Sequence, residues 1–427
     1  MRLLALMLFV SSLTAQTSTL AGDWVITVSR FNEPETRRLK IEFKDGKYIA
    51  KDRDLDFAGT LKNQSIDFRC SYKDEDQLKE CGNLTGTLQA NRIEGSGKIF
   101  GDTVTWSAIR DVAVSGAPER HEFVPTAFYR QFNGNIAPVM HVKPGDSIHT
   151  KTVDAGGTDE AGVKRSQGGN PLTGPFYVDG ALPGDTLVIR LDRVRLNRDS
   201  ANIFNDSVVA PALEPYSLRD MKRQKDFDSS WKLDREKGTA TLTKPTGPLK
   251  NFAIKLQPML GCIGVAPADH QAFRSGNLGR YGGNMDYNQV REGATVYLPV
   301  FQTGALLFVG DGHAAQGDGE LTGNALETSM DVEFTVDLLR GKSLGQPRFE
   351  NSEYVMVSGI AGSLNEALQM ATSGMSQWLE NEYKLNTAEI AMVLTTSMHY
   401  DIAEVVDPQV HLVAKVAKSA LAQISRP

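Results

Sequence analysis

Thr295-Val296-Tyr297-Leu298-Pro299-Val300-Phe301, then Gln302-Thr303-Gly304, then Ala305-Leu306-Leu307-Phe308-Val309: the fold class turns on this stretch. Two apolar runs, rich in β-branched and aromatic side chains, flank a polar triplet that ends in glycine. Such runs are too short for buried helices and read as strands. The spacing predicts a hairpin turning at Gln302-Thr303-Gly304. Further along, Met330, Val332, Phe334 and Val336 alternate with Asp331, Glu333 and Thr335, the period-two pattern of a half-buried strand. Thr186 to Leu191 and Asn251 to Leu256 are also strand-like. Ser217 to Gly247 is polar and rich in Lys and Asp, which predicts a surface excursion with a short hairpin around Lys237-Gly238.

The same alternation dominates residues 22–111. Trp24, Ile26 and Val28 repeat at period two, as do Leu39, Ile41 and Phe43, then Ile66, Phe68 and Cys70, then Val104, Trp106 and Ala108. Turns are marked by Asp45-Gly46, Asn83, Gly95, Gly97 and Gly101-Asp102. Seven or eight short antiparallel strands are expected here, as a meander sandwich or a small barrel. Ala113 to Glu122, with Gly116 and Pro118, reads as a linker to a second unit over residues 121–427. Only the end of the chain is helical in pattern. Ser363-Leu364-Asn365-Glu366 matches a capping box, and Leu364, Leu368, Ala371, Met375, Trp378 and Leu379 follow at helical spacing to about Tyr383. Thr387 to Leu394 opens a second helix, and Gln409 to Leu421 reads as a third amphipathic stretch. The chain is therefore expected to be mainly β, sandwich- or barrel-like, with an α/β C-terminal portion and a small antiparallel β domain at its N-terminus.

Composition narrows the function classes. Of the 427 residues 41% are hydrophobic and 23% charged, which excludes disordered, collagen-like and coiled-coil chains. The net charge is -6 and Lys and Arg form no long cluster, so nucleic acid is not an expected partner. Arg2, the apolar run Leu3 to Val10 and the small residues up to Ala15 read as a secretory signal peptide over residues 1–15. No other stretch is apolar for long enough to insert in a membrane. The mature protein is expected to be soluble and exported, periplasmic or secreted. In that oxidising setting Cys70 and Cys81, eleven apart in one strand-turn-strand stretch, are a plausible disulfide. Cys262 sits in the apolar run Met259 to Val265 and reads as a buried core residue; a nucleophilic role is the alternative.

The chemistry-bearing residues follow the opening stretch directly, as Gly310-Asp311-Gly312-His313-Ala314-Ala315-Gln316-Gly317-Asp318-Gly319-Glu320. Asp311 and His313, two apart at a strand end, can turn toward one ion. Carboxylate with imidazole is a ligand set that suits zinc. His313 and Ala315 would occupy ligand positions of an EF-hand, which excludes one. A solvated acidic turn with a hydrogen-bonded His is the competing reading. His149 reads as a packed or surface residue. There is no Gly-x-Ser-x-Gly elbow, His-Glu-x-x-His helix or Walker motif.

Six blocks occur in order: Val153-Asp154-Ala155-Gly156-Gly157, Asn170-Pro171-Leu172-Thr173-Gly174-Pro175, Gly282-Gly283-Asn284-Met285-Asp286, Leu298-Pro299-Val300, Gly304-Ala305-Leu306 and residues 310–320. Together they resemble the acetamidase/formamidase family, from about Pro138 to the C-terminus. The resemblance implies hydrolysis of a short carboxylic amide, formamide- or acetamide-like or a lactam, to carboxylate and ammonia. It also implies a mainly β fold, a divalent metal and a homo-oligomer, with a small-molecule amide as partner. Zinc is the expected metal and calcium the alternative. On this resemblance Asp154, Asp286, Asp311 and His313 are the expected metal ligands. Glu320 is the expected proton shuttle, with Glu160 in reserve and His313 also catalytic. Asn284, Thr173 and Gln316 are expected at the substrate. The export signal and the N-terminal β unit depart from the usual member. An exported, non-catalytic binding protein on the same scaffold and a Cys262-nucleophile amidase are the competing functions.

Overall fold

The computed structural model describes residues 20–114, 116–205, 207–218 and 227–425. The expected leader, residues 1–15, lies outside them. The chain divides into two compact units at Val112 and Ala113. No helix among the described residues is long and apolar enough to cross a membrane.

The first unit is a barrel. Its strands are β1 (Gly22–Arg30), β2 (Glu33–Lys44), β3 (Lys47–Asp52), β4 (Leu55–Lys62), β5 (Ser65–Asp74), β6 (Gln77–Gln89), β7 (Arg92–Ile99) and β8 (Asp102–Arg110). Each pairs antiparallel with the next, and β8 returns to pair with β1, so no sheet edge is left open. Inward positions along every strand bring Trp24, Ile26, Phe57, Phe68, Ile93 and Trp106 into one core. The short two-residue turns fall at Asp45-Gly46, as expected, and at Phe100-Gly101, one residue before the expected Gly101-Asp102, whereas Asn83, Gly95 and Gly97 lie inside β6 and β7. Cys70 on β5 and Cys81 on β6 are disulfide-bonded, with Cα atoms 5.1 Å apart.

The second unit holds two large sheets, of eleven and nine strands. Their inner faces share one core, in which Phe176 of the first meets Phe334 of the second edge-on at 5.6 Å. The stretch 295–309 is not a hairpin. Thr295–Pro299 pairs with Thr186–Leu196 and Arg348–Glu350 in the nine-stranded sheet. Leu307–His313 lies in the other sheet, beside Met259–Gly264. Ala305 and Leu306 both take left-handed φ, 57° and 59°, as the chain crosses between the layers. Leu307–His313 is buried on both faces, and Thr295–Pro299 is buried on one and partly covered on the other, so apolar pattern alone cannot say which neighbour each strand takes. The hairpin around Lys237-Gly238 does form, between Ser230–Asp234 and Thr239–Leu242.

Helix Leu364–Tyr383 starts at Ser363, whose hydroxyl accepts from the Glu366 amide and donates to the Glu366 carboxylate. It lays Ala367, Ala371, Met375 and Leu379 on strands Tyr354–Ala361 and Val410–Ala417. Each fully buried Met or Leu there contributes about 1.5–3 kcal/mol. The approach is close because Gly359 is bare: a Cβ there would lie 1.8 Å from the Ala367 carbonyl oxygen. Thr387–Ser397 is the second helix, opened by a full capping box of Asn386 and Glu389. The third expected helix is instead strand Val410–Ala417 with a short helical turn, Lys418–Leu421. Val410, Val413 and Val416 recur every three residues, which mimics a helix, but β-branched side chains between two packed layers favour the pleated form.

Candidate metal centre

Four strands of the eleven-stranded sheet run side by side and carry the site. Leu307–His313 lies between Met259–Gly264 and Glu327–Thr328, and Gly282–Asn284 flanks Met259–Gly264 on its far side. Asp311 and His313 are two apart on one strand and so share a face. Glu327 is directly across from His313 in register. Asp286 follows the strand whose Asn284 opposes Cys262. All four side chains are buried, His313 completely.

Their reactive atoms converge. His313 Nε2 is 3.4 Å from Asp311 Oδ2, 3.4 Å from Glu327 Oε2 and 3.9 Å from Asp286 Oδ1. Asp286, Asp311 and His313 can each present one ligand atom within 4.8 Å of the others, and so can His313, Glu320 and Glu327. Among the described residues, Asp286 Oδ1, Asp311 Oδ1, His313 Nε2 and Glu327 Oε2 are buried without a hydrogen-bond partner. A buried polar atom left so is costly, and carboxylates gathered around one imidazole nitrogen with such atoms unpaired call for a cation. The space is kept by Gly261, where a Cβ would sit 2.3 Å from Asp286 Oδ1 and 2.7 Å from Asp311 Oδ2. Imidazole plus carboxylates is a donor set for a divalent ion, so these residues fit one.

Neighbouring amides orient the ligands. Gln316 Nε2 donates to the carbonyls of Asp286 at 2.5 Å and Ala403 at 3.2 Å. Carbonyls only accept, so Gln316 Oε1 must face His313 Nδ1, 2.9 Å away. Nδ1 therefore carries the proton, and the lone pair of neutral His313 lies on Nε2, toward the carboxylates. Asn284 Nδ2 donates to Asp286 Oδ2 at 2.5 Å and to Asp407 Oδ2 at 2.8 Å. Asn170 Nδ2 donates to Asp311 Oδ2 and to Asn284 Oδ1, each at 3.0 Å. Asn170, Asp286, Asp311 and Glu320 all hold left-handed φ between 41° and 56°. Such conformations cost on the order of 1 kcal/mol or more and cluster where function over-determines them.

Burial first, and like charges after it, push Asp286, Glu320, Glu327, Glu404 and Asp407 toward protonation. Burial, with the neighbouring Glu320 and Asp311, raises Asp286 well above the usual carboxylate range. Burial raises Glu327 likewise, against the pull of His313. Glu320 is pushed up to about 8, by burial first and then by Asp311 and Asp407, although His313 opposes. Glu404 rises to about 8 and Asp407 to about 7, chiefly by burial. Burial works to lower His313, but Glu327, Asp311 and Asp286 overcome it and raise the imidazole. A divalent cation among these groups would reverse that logic for the acids.

Several expected residues lie elsewhere. Asp154 is not in the group: its Oδ2 takes the buried Arg198 guanidinium at 2.5 Å and its Oδ1 the Thr158 amide, so its charge is already matched. Glu160 pairs with Lys151 and is held below its usual range by that contact, at a partly exposed position. Thr173 donates its hydroxyl to the Lys151 carbonyl. Gln316 is buried against His313, where it orients the ring. Asn284 forms a wall of the centre. His149 lies between Glu122 and Asp331 on the other sheet. Cys262 is fully buried and donates to Asn284 Oδ1 at 2.7 Å; burial, then Asp311 and Asp286, push its thiol up. Glu327, Asn170, Glu404 and Asp407 were not singled out as site residues. The isolated Glu327 within the small and apolar run Ala325 to Met330 was a usable signal; the others owe their place to the fold.

A mainly β chain with a buried Asp-Asp-His-Glu cradle at the end of a glycine-rich strand is the setting of a hydrolase. The sequence model of the Acetamidase/Formamidase family matches residues 120–275 and 269–408, and the chain belongs to that family. It is an amidohydrolase acting on linear amides. The formamidase of Methylophilus methylotrophus is 24% identical over 312 residues, covering 56% of this chain and 73% of that one. A predicted acetamidase/formamidase from Thermoanaerobacter tengcongensis superposes with a TM-score of 0.61 at 27% identity, over 72% of this chain and 99% of its own. An acetamidase from Yersinia enterocolitica gives 0.58 at 26%, over 74% and 96%. The family match begins at residue 120, beyond the barrel.

Proposed function

We propose that this chain hydrolyses a short formamide- or acetamide-like amide at the Asp286–Asp311–His313–Glu327 cradle with a bound divalent ion, zinc foremost. One observation carries the reading: carboxylate oxygens of Asp286, Asp311 and Glu327 crowd within 3.9 Å of His313 Nε2, each of the four residues keeps a buried polar atom without a hydrogen-bond partner, and the bare Gly261 leaves room beside Asp286, Asp311 and His313. When bound, the ion would polarise the substrate carbonyl and acidify a water. Asp286, Asp311, His313 and Glu327 would hold it, while Gln316, Asn284 and Asn170 fix their orientation. The amide nitrogen leaves only when protonated. Glu320 shares a ligand-distance group with His313 and Glu327 and is buried beside the cradle. It can take the proton of the attacking water and return it to nitrogen as the carbon–nitrogen bond breaks. The products are the carboxylate and ammonia. Cys262 serves no nucleophilic step in this scheme, because its thiol is buried, raised and hydrogen-bonded.

The reading includes an exported protein that assembles as a homo-oligomer. The leader-like residues 1–15 and the Cys70–Cys81 disulfide support export; the family resemblance supports assembly. The test is ammonia release from formamide, acetamide, larger aliphatic amides and lactams, with parallel metal analysis. Turnover that follows metal content supports the reading, and turnover in a His313→Ala chain that folds normally overturns it.

A further inference from the structure

The barrel interior is not filled. Between its two ends lies a cavity of about 50 Å³. One end is closed by Trp24, which is fully buried and donates through Nε1 to the Leu20 carbonyl at 2.9 Å; Arg110 stacks on its ring at 4.0 Å. Toward the other end, near the β1–β2 and β3–β4 turns, Val28 and Leu55 line the cavity yet are only half-buried, so it opens there. The walls between are apolar, with Ile26, Phe57 and Trp106 among them. An eight-stranded barrel is just wide enough to be filled by side chains or to hold one small ligand. This one keeps space.

Two polar side chains line the open end. Arg37 Nε donates to Asp52 Oδ1 at 2.6 Å, and Arg37 Nη2 donates to Asp52 Oδ2. Arg37 Nη1 donates to Glu35 at 3.0 Å. A guanidinium has five donors and a carboxylate about four lone-pair sites, so this pair can still both give and accept. The pair is neutral as a unit. An anionic ligand would meet Asp52, and a cationic one Arg37. The polar end that fits is uncharged and carries both a donor and an acceptor. A water-sized group needs about 10–15 Å³ of such space, so the cavity takes about four methylene-sized groups.

We propose that the N-terminal barrel binds a short, neutral aliphatic molecule, tail in the cavity and a donor–acceptor end at Arg37 and Asp52, with primary aliphatic amides as the best-fitting class. The inference stands on the barrel alone and does not depend on the amidase reading.

The full chain is titrated with 1-pentanol, which cannot be hydrolysed, and with pentanamide, pentanoate and pentylammonium, followed by tryptophan fluorescence and calorimetry. Saturable binding of the two neutral probes, at least tenfold tighter than either ion, is expected. Ala108→Leu fills the cavity wall and should weaken both neutral probes at least tenfold, with amide hydrolysis and Tm kept. Ala50→Val is the second filling variant, used if the first fails to fold. Asp52→Asn should improve pentanoate binding at least tenfold. The proposal fails if neither neutral probe binds saturably, if the folded filling variant binds as tightly as the parent, or if the ions bind as well as the neutral probes.

Discussion

Gly261→Ala is the sharpest perturbation that the centre offers. Gly261 lies outside the left-handed region, so the substitution brings no backbone strain and acts only through its new methyl group. That carbon would lie 2.3 Å from Asp286 Oδ1 and 2.7 Å from Asp311 Oδ2. Ordinary contact is about 3.4 Å or more, so the nearer oxygen must retreat by about 1 Å. Metal–ligand distances tolerate about 0.2 Å. A displacement of about 1 Å at a reacting centre costs on the order of a hundredfold. The variant should therefore lose at least about 2.7 kcal/mol of transition-state stabilisation, two factors of ten at about 1.36 kcal/mol each. Overpacking should lower stability by only about 1–3 kcal/mol, so the chain still folds. The assay is ammonia release at varied amide concentration, with metal content by mass spectrometry and Tm by circular dichroism. A folded variant with full metal and unchanged kcat/KM would refute the assignment of the cradle.

Three further outcomes are expected. Gln316→Leu removes the acceptor for His313 Nδ1 and should lower metal affinity or activity by about 10–100-fold, whereas Gln316→Glu, which keeps an acceptor, should recover part of it; a metal titration of both variants checks this. Cys262→Ser keeps the donor to Asn284 and should retain activity within about tenfold, while a thousandfold loss in a folded protein would restore the nucleophile reading. His411 is buried, donates to the Met285 carbonyl at 2.6 Å, and is depressed by burial to about 4 against an ordinary 6.5. Between those values the unfolded chain holds the extra proton, so stability falls as pH falls from 6.5 toward 4, by up to about 3 kcal/mol. Urea unfolding at the two pH extremes should show that slope, and His411→Asn should flatten it.

The barrel and the centre were legible to different depths. Period-two alternation with glycine turns is a local signal, and Trp24, Ile26 and Trp106 reach the core as it implies. Asp311 and His313 were legible because two-residue spacing on a strand places both on one face. Partner choice is where local pattern stops. The runs 295–301 and 305–309 are apolar on both faces, so nothing local opposes a hairpin, and only the layered core separates them. Val410, Val413 and Val416 carry a helical period on β-branched side chains, but in the strand Val410 and Val416 pack with helix Leu364–Tyr383 while Val413 enters the core on the opposite face. Asp154 looked like a ligand because the Arg198 that neutralises it is 44 residues away. Glu327 faces His313 through strand register, which no spacing encodes. Gln316 was visible as a polar neighbour of His313, but its role depends on the carbonyls of Asp286 and Ala403, placed by other strands.

The central claim is that the buried cradle binds a divalent ion and that amide hydrolysis depends on it. The direct measurement is ammonia release from formamide and acetamide by the full chain as purified, after dialysis against a chelator, and after zinc is restored. The account predicts near-stoichiometric metal as purified, loss of turnover on stripping, and recovery that saturates as zinc refills the cradle, with no recovery in a folded Asp311→Asn, His313→Ala double variant. Undiminished turnover in a chain stripped of metal would contradict it.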